Sequence, residues 1–119
     1  MNVKEFYENN HGSYTTALNM MMNDDFIKRM LSKFISSNRS LEMIECYKNK
    51  DYKGVFEAGH SLKGVAGNLA LTSLYDLVVP IVEKTRNYSN MTSINLDDEI
   101  ASYQKEYEQI IAAIKELID

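Results

Sequence analysis

Tryptophan is absent from this 119-residue chain, cysteine and proline occur once each, and only five residues are glycine. With Cys46 alone, no internal disulfide and no cysteine cluster can form. With Pro80 as the sole proline, nothing reads as a proline-rich linker, and no low-complexity tract or internal repeat interrupts the chain. No apolar stretch approaches the 18 or so residues of a membrane span, and the opening MNVKEFYENN lacks the apolar core of a secretory signal. Positive charge is in deficit: 13 Lys and Arg stand against 17 Asp and Glu, a net charge of −4. Binding a phosphate backbone calls for a basic face, so nucleic acid is not expected as a partner, and neither is a membrane. The two histidines, His11 and His60, lie in different segments without metal-ligand spacing, so no metal site is expected. These exclusions leave a small cytoplasmic domain with one core, too short to hold a separate nucleotide-binding domain. The initiating methionine and the lack of linkers suggest a free-standing protein.

The apolar residues that are present recur at helical spacing throughout, and the expected fold class is all-α. A short element spans Val3 to Glu8, HGS breaks the chain, and Ser13 can cap a second short helix carrying Tyr14, Leu18 and Met21. Asp24 is the expected cap of a helix with Phe26, Ile27, Met30, Leu31, Phe34 and Ile35 on one face. It is interrupted at SSNRS, where Ser40 can start a continuation through Leu41, Ile44 and Tyr47. The turn KNKD precedes a helix from Tyr52 to Leu71. Thr72 and Asp97 are the expected caps of the last two helices, which turn Leu74, Leu77, Val78, Ile81 and Val82, and then Ile100, Tyr103, Tyr107, Ile110, Ile114 and Leu117, inward. Four longer amphipathic elements with short connections predict an antiparallel four-helix bundle over residues 24–119, with residues 1–23 as an N-terminal helical extension packed on it. Pro80 removes one helix hydrogen bond and is expected to kink its helix rather than divide it in two.

Four of the five glycines, Gly54, Gly59, Gly64 and Gly67, fall around His60. The stripe of Val55, Ala58, Leu62, Val65, Ala66 and Leu69 faces away from the histidine. Lys53, Phe56, Glu57, Lys63, Gly64 and Gly67 share its side, so His60 faces outward. Each glycine inside a helix costs about 1 kcal/mol relative to alanine. A local rule broken around one exposed imidazole suggests a functional site. A neutral imidazole is a good nucleophile towards an activated phosphoryl group. Lys63, one turn on, can neutralise charge on a phosphoryl group held there; at about 4 Å and an effective dielectric near 20 each unit-charge pair is worth about 4 kcal/mol before desolvation. Gly64 clears the space through which a partner can reach the ring.

The segment HSLKGVAGNL resembles the signature of the histidine-containing phosphotransfer family, H-x-L-K-G followed by small residues and N-L-G. His60, Leu62, Lys63, Gly64, Asn68, Leu69 and Leu74 stand where that family has them, and Asp51 matches its aspartate in the preceding turn. The resemblance runs from about Asp24 to Asp119 and is strongest from Asp51 to Glu83. It implies a phosphoryl carrier in a two-component phosphorelay, without autokinase activity, in which His60 is phosphorylated, Lys63 stabilises the phosphoryl group and Gly64 gives clearance. The implied partner is a receiver domain of a response regulator or hybrid histidine kinase, which supplies its own Mg²⁺; the chain itself needs no cofactor and is expected to be a monomer. Phe56, Glu57, Gly67, Asn68 and Glu83 are the expected binding residues. Two departures are visible: Ala70 replaces the glycine that ends N-L-G, and Glu83 only approximates the acid or amide that orients the histidine's second nitrogen in many members, because Val82 lies nearer the usual spacing.

Other features have plainer readings. The seven methionines, including Met20, Met21 and Met22, read as core and cap filling. Tyr103 and Tyr107 read as core residues with wet hydroxyls. Lys84 and Arg86 read as a solvated face that can help dock an acidic receiver, and His11 as inert. The rival functional class is a phosphorylation-independent helical adaptor that occupies a receiver through the same face. A hydrolase using His60 as base has less behind it, since only Glu57 or Glu83 could serve as its acid.

Overall fold

Four of the helices begin at a side chain that accepts an otherwise unpartnered backbone N–H. In the computed structural model, which describes residues 1–119, Asn2 and Glu5 form a reciprocal capping box at the start of α1 (Val3–Asn9). Ser13 starts α2 (Tyr14–Met21), its hydroxyl accepting from the Thr16 N–H at 3.2 Å. Asn23, not Asp24, caps α3 (Asp24–Ser36) by accepting from the Phe26 N–H at 2.8 Å. Asp24 and Asp25 then occupy its first turn, where negative charge favours the helix dipole. Asp51 caps α5 (Tyr52–Asn68), accepting from the Gly54 N–H at 3.0 Å.

The caps expected at Ser40, Thr72 and Asp97 do not form. Around α4 (Arg39–Lys48) and α7 (Asp97–Ile118) the reason is competition from distant partners. Ser40 is buried with its hydroxyl 2.8 Å from that of Tyr103. The Asp97 carboxylate accepts from the Tyr47 hydroxyl at 2.6 Å. Thr72 is the first residue of α6 (Thr72–Thr85) rather than the residue before it. That helix starts instead from a backbone turn in which Ala70 has φ 54°, a left-handed conformation that costs an L-residue about 1–2 kcal/mol. Ala70 thus adopts the geometry glycine takes most readily. Pro80 lies inside α6, which stays one helix, and Asp76, whose carbonyl loses its partner to the ring, is exposed.

All seven α-helices and the 3₁₀ turn Tyr88–Asn90 are joined without a single strand. Helix α5 lies against α4 on one side and α6 on the other; α6 also packs on α7, and α7 on α3 and α4. The first two helices close one end. Phe6 and Tyr7 of α1 are buried. The Tyr7 hydroxyl donates to the Leu69 carbonyl at 2.7 Å, and the Ser13 N–H donates to the Ala70 carbonyl at 3.2 Å. The turn that ends α5 is therefore held from outside by residues 1–23. Tyr103 and Tyr107 are core residues as expected, but the Tyr103 hydroxyl is paired with Ser40 rather than wet. No helix is long and apolar enough to cross a membrane.

Candidate functional site

Helix α5 divides cleanly by side. Val55, Ala58, Gly59, Leu62 and Ala66 are buried, whereas Lys53, Glu57, His60, Gly64 and Asn68 are exposed and Val65 is half-buried at the boundary. Its four glycines do two different jobs. A Cβ on Gly54 would meet Cys46 Sγ at 2.5 Å and Asp51 Oδ2 at 2.6 Å. One on Gly59 would meet Val82 Cγ2 at 3.1 Å and Met43 Sδ at 3.5 Å, so this glycine brings α5 close to α6 and α4. Around Gly64, by contrast, a Cβ would meet nothing within 4 Å, and at Gly67 it would only touch the Tyr75 ring at 3.6 Å. Packing needs the first pair; open space surrounds the second.

His60 stands in the middle of this exposed side. The chain's only histidine hydrogen bond joins His11 to Glu106 at 3.4 Å, so both ring nitrogens of His60 are free of protein partners. Its ring lies beside that of Phe56, centroids 5.8 Å apart and tilted by 34°. Phe56 is in turn flanked by Tyr88 at 5.8 Å and by the Arg86 guanidinium at 5.6 Å from its centroid. This is the contact range of aromatic and cation–π pairs, which fix ring orientation at a modest energy. Lys63 is half-buried one turn after His60 and enters no ion pair.

Glu83, expected to orient His60, is committed elsewhere. It accepts from Arg86 through both carboxylate oxygens, Nη2 at 2.8 Å and Nε at 3.4 Å. That hydrogen bond, the Arg86 charge and, more weakly, Lys63 hold its carboxyl below the usual glutamate range. Glu57 faces Lys53 at 4.0 Å, and Lys84 is paired with Glu99 of α7. Arg86 and Tyr88 are the members of the cluster that sequence reading did not place: Arg86 was one of two solvated cations, and Tyr88 sits in the non-periodic stretch NYSN, where no pattern points to Phe56, 32 residues earlier.

The expectation for the methionines also needs revision. Met21 and Met43 are buried, but Met20 and Met22 are 49% and 83% exposed. Nowhere do three or more His, Cys, Asp or Glu side chains gather in a way that could hold a metal ion. Comparison with protein-family models, curated proteins and solved structures finds no match to this chain.

Chemically, the arrangement offers an unencumbered imidazole on a rigid helix, a cation one turn away, clear space beside it and an aromatic ring holding one side. Nothing within hydrogen-bond reach of the ring acts as a second acid or base. An unprotonated ring nitrogen in this setting can act as a nucleophile or as a base.

Proposed function

We propose that this chain is a histidine phosphotransfer protein of the two-component phosphorelay type. In this reading α3 with α4, and α5, α6 and α7, make up a four-helix bundle that relays a phosphoryl group between receiver aspartates through His60. The observation that supports it most is the setting of His60: exposed in mid-helix, free at both ring nitrogens, followed by Lys63 and by a glycine with nothing within 4 Å of its absent side chain.

The reaction would run in line. The unprotonated ring nitrogen attacks the phosphorus of the receiver's aspartyl phosphate, the N–P bond forms, and the P–O bond breaks with its electron pair returning to the aspartate carboxylate. A second receiver reverses the sequence, its carboxylate oxygen attacking phosphorus while the N–P electron pair returns to His60. Positioning and charge stabilisation carry such transfers. The helix supplies the first, and Lys63 and the receiver's own Mg²⁺ supply the second. Phe56, Glu57, Gly67 and Asn68 would meet the partner, while Glu83 would act through Arg86 rather than on His60 directly. The chain acts as a carrier without kinase activity or a cofactor of its own.

The test is incubation with a panel of phosphorylated receiver domains, followed by intact-mass and acid-lability measurement of wild type and His60→Gln. Acid-labile phosphate on the wild type alone is the expected result. Receiver binding without phosphate on either protein would replace the relay with the adaptor reading.

A further inference from the structure

A groove of about 420 Å³ runs between α2, α3 and the end of α5. Its walls are mostly apolar: Met20, Met21, Phe26 and Met30, with Lys33, Ser37 and Asn68 as the polar members. The size falls within the range of small-molecule sites, which are concave, apolar and carry a few placed polar groups. Three methionines make the walls adaptable. From Phe26 to Ser37 the α3 wall rises about 16 Å, the length of an extended chain of about twelve carbons.

Charge selects the occupant further. The protein carries a net charge of −4, yet no carboxylate lines the groove. Lys33, in the last turn of α3, enters no ion pair. A second cation stands at the rim, where the Arg29 guanidinium lies 5.7 Å from the centre of the Phe26 ring. Of the two acids that precede Phe26, Asp24 accepts from the Tyr14 hydroxyl at 2.9 Å, and neither Asp24 nor Asp25 lines the groove. An apolar slot with an unpaired ammonium and no carboxylate in its walls suits a single chain bearing a carboxylate.

We infer that this groove is a binding site for a medium-chain carboxylate amphiphile, its hydrocarbon between α2, α3 and α5 and its carboxylate on Lys33. The site shares Asn68 with the proposed partner face, but the argument for it does not rest on the phosphotransfer reading.

Because the chain has no tryptophan, Met20→Trp places a lone reporter at the mouth of the groove. Its emission would be titrated with dodecanoate and, separately, with dodecyltrimethylammonium, both below micelle formation, and wild-type binding would be measured by calorimetry. The expected result is saturable dodecanoate binding, one per chain, with the cationic surfactant at least about tenfold weaker and Lys33→Met removing most of that difference. Met30→Glu should abolish dodecanoate binding with helicity retained; should that variant not fold, Lys33→Met carries the test alone. Equal affinity for the two surfactants, or no saturation, would overturn the inference. So would an emission change that follows protein concentration without ligand, because a second copy of the chain would then be covering the groove.

Discussion

His60 and its glycine neighbours can be separated experimentally because their environments differ so sharply. His60→Gln should lose phosphoryl acceptance with the melting temperature unchanged, since an exposed side chain without hydrogen-bond partners contributes little to the fold. Gly64→Leu removes the helix penalty of glycine where its Cβ would meet no neighbour, so stability should rise by up to about 1 kcal/mol while transfer from a receiver is blocked. Gly59→Leu should do the reverse to the fold. Its first side-chain carbon already comes within 3.1 Å of Val82, and the larger side chain would force α5 and α6 apart at a cost of about 1–3 kcal/mol, read as a lower denaturation midpoint. Sequence spacing put Gly64 and Gly67 on the side of His60 but gave no reason for Gly54 and Gly59, because helical periodicity tells which way a residue points but not what stands opposite. The exposure of His60 was legible for that same reason. The bracket of Tyr88 and Arg86 on Phe56 was not, since it depends on how the segment after α6 folds back over α5.

Between elements, a few long-range polar bonds do the joining. The Tyr7 hydroxyl ties α1 to the end of α5, and burial raises its phenol well above the ordinary tyrosine value of 10.0. A phenol harder to ionise when folded stabilises the protein fully below pH 10, and that contribution is lost as pH rises beyond it, because the unfolded chain then releases the proton first. The melting temperature should therefore fall above about pH 10, and less steeply in Tyr7→Phe, which at neutral pH should already be less stable by about 1 kcal/mol. Tyr103, raised chiefly by burial, contributes in the same direction. Helix extents were readable from apolar periodicity, and of the caps read from the sequence Ser13 forms. The cap position fell one residue from Asp24 and from Thr72, and at Ser40 and Asp97 the side chains serve Tyr103 and Tyr47 instead. Local capping rules cannot anticipate a better partner some 50 residues away.

As a whole the molecule measures 46 × 23 × 20 Å, so thin that a long helix can hardly avoid having one side in water. The exposed His60 on α5 thus sits on a helix whose other side is used by the core. The N-terminal helices belong to that core: Phe6 has no exposed surface, and Phe6→Ala should lower unfolding free energy by about 3–5 kcal/mol in denaturant titration. Their other contribution is to aim. Ala70, left-handed and held by Ser13 through its carbonyl, fixes where α5 stops. A slip of one residue at that stop turns the helix by about 100° and would carry His60 into the place of Gly59, against Val82. The small turn nearly three helical turns away from the imidazole acts as a bearing with a narrow angular tolerance, and the accuracy of the imidazole's heading is set there rather than beside it.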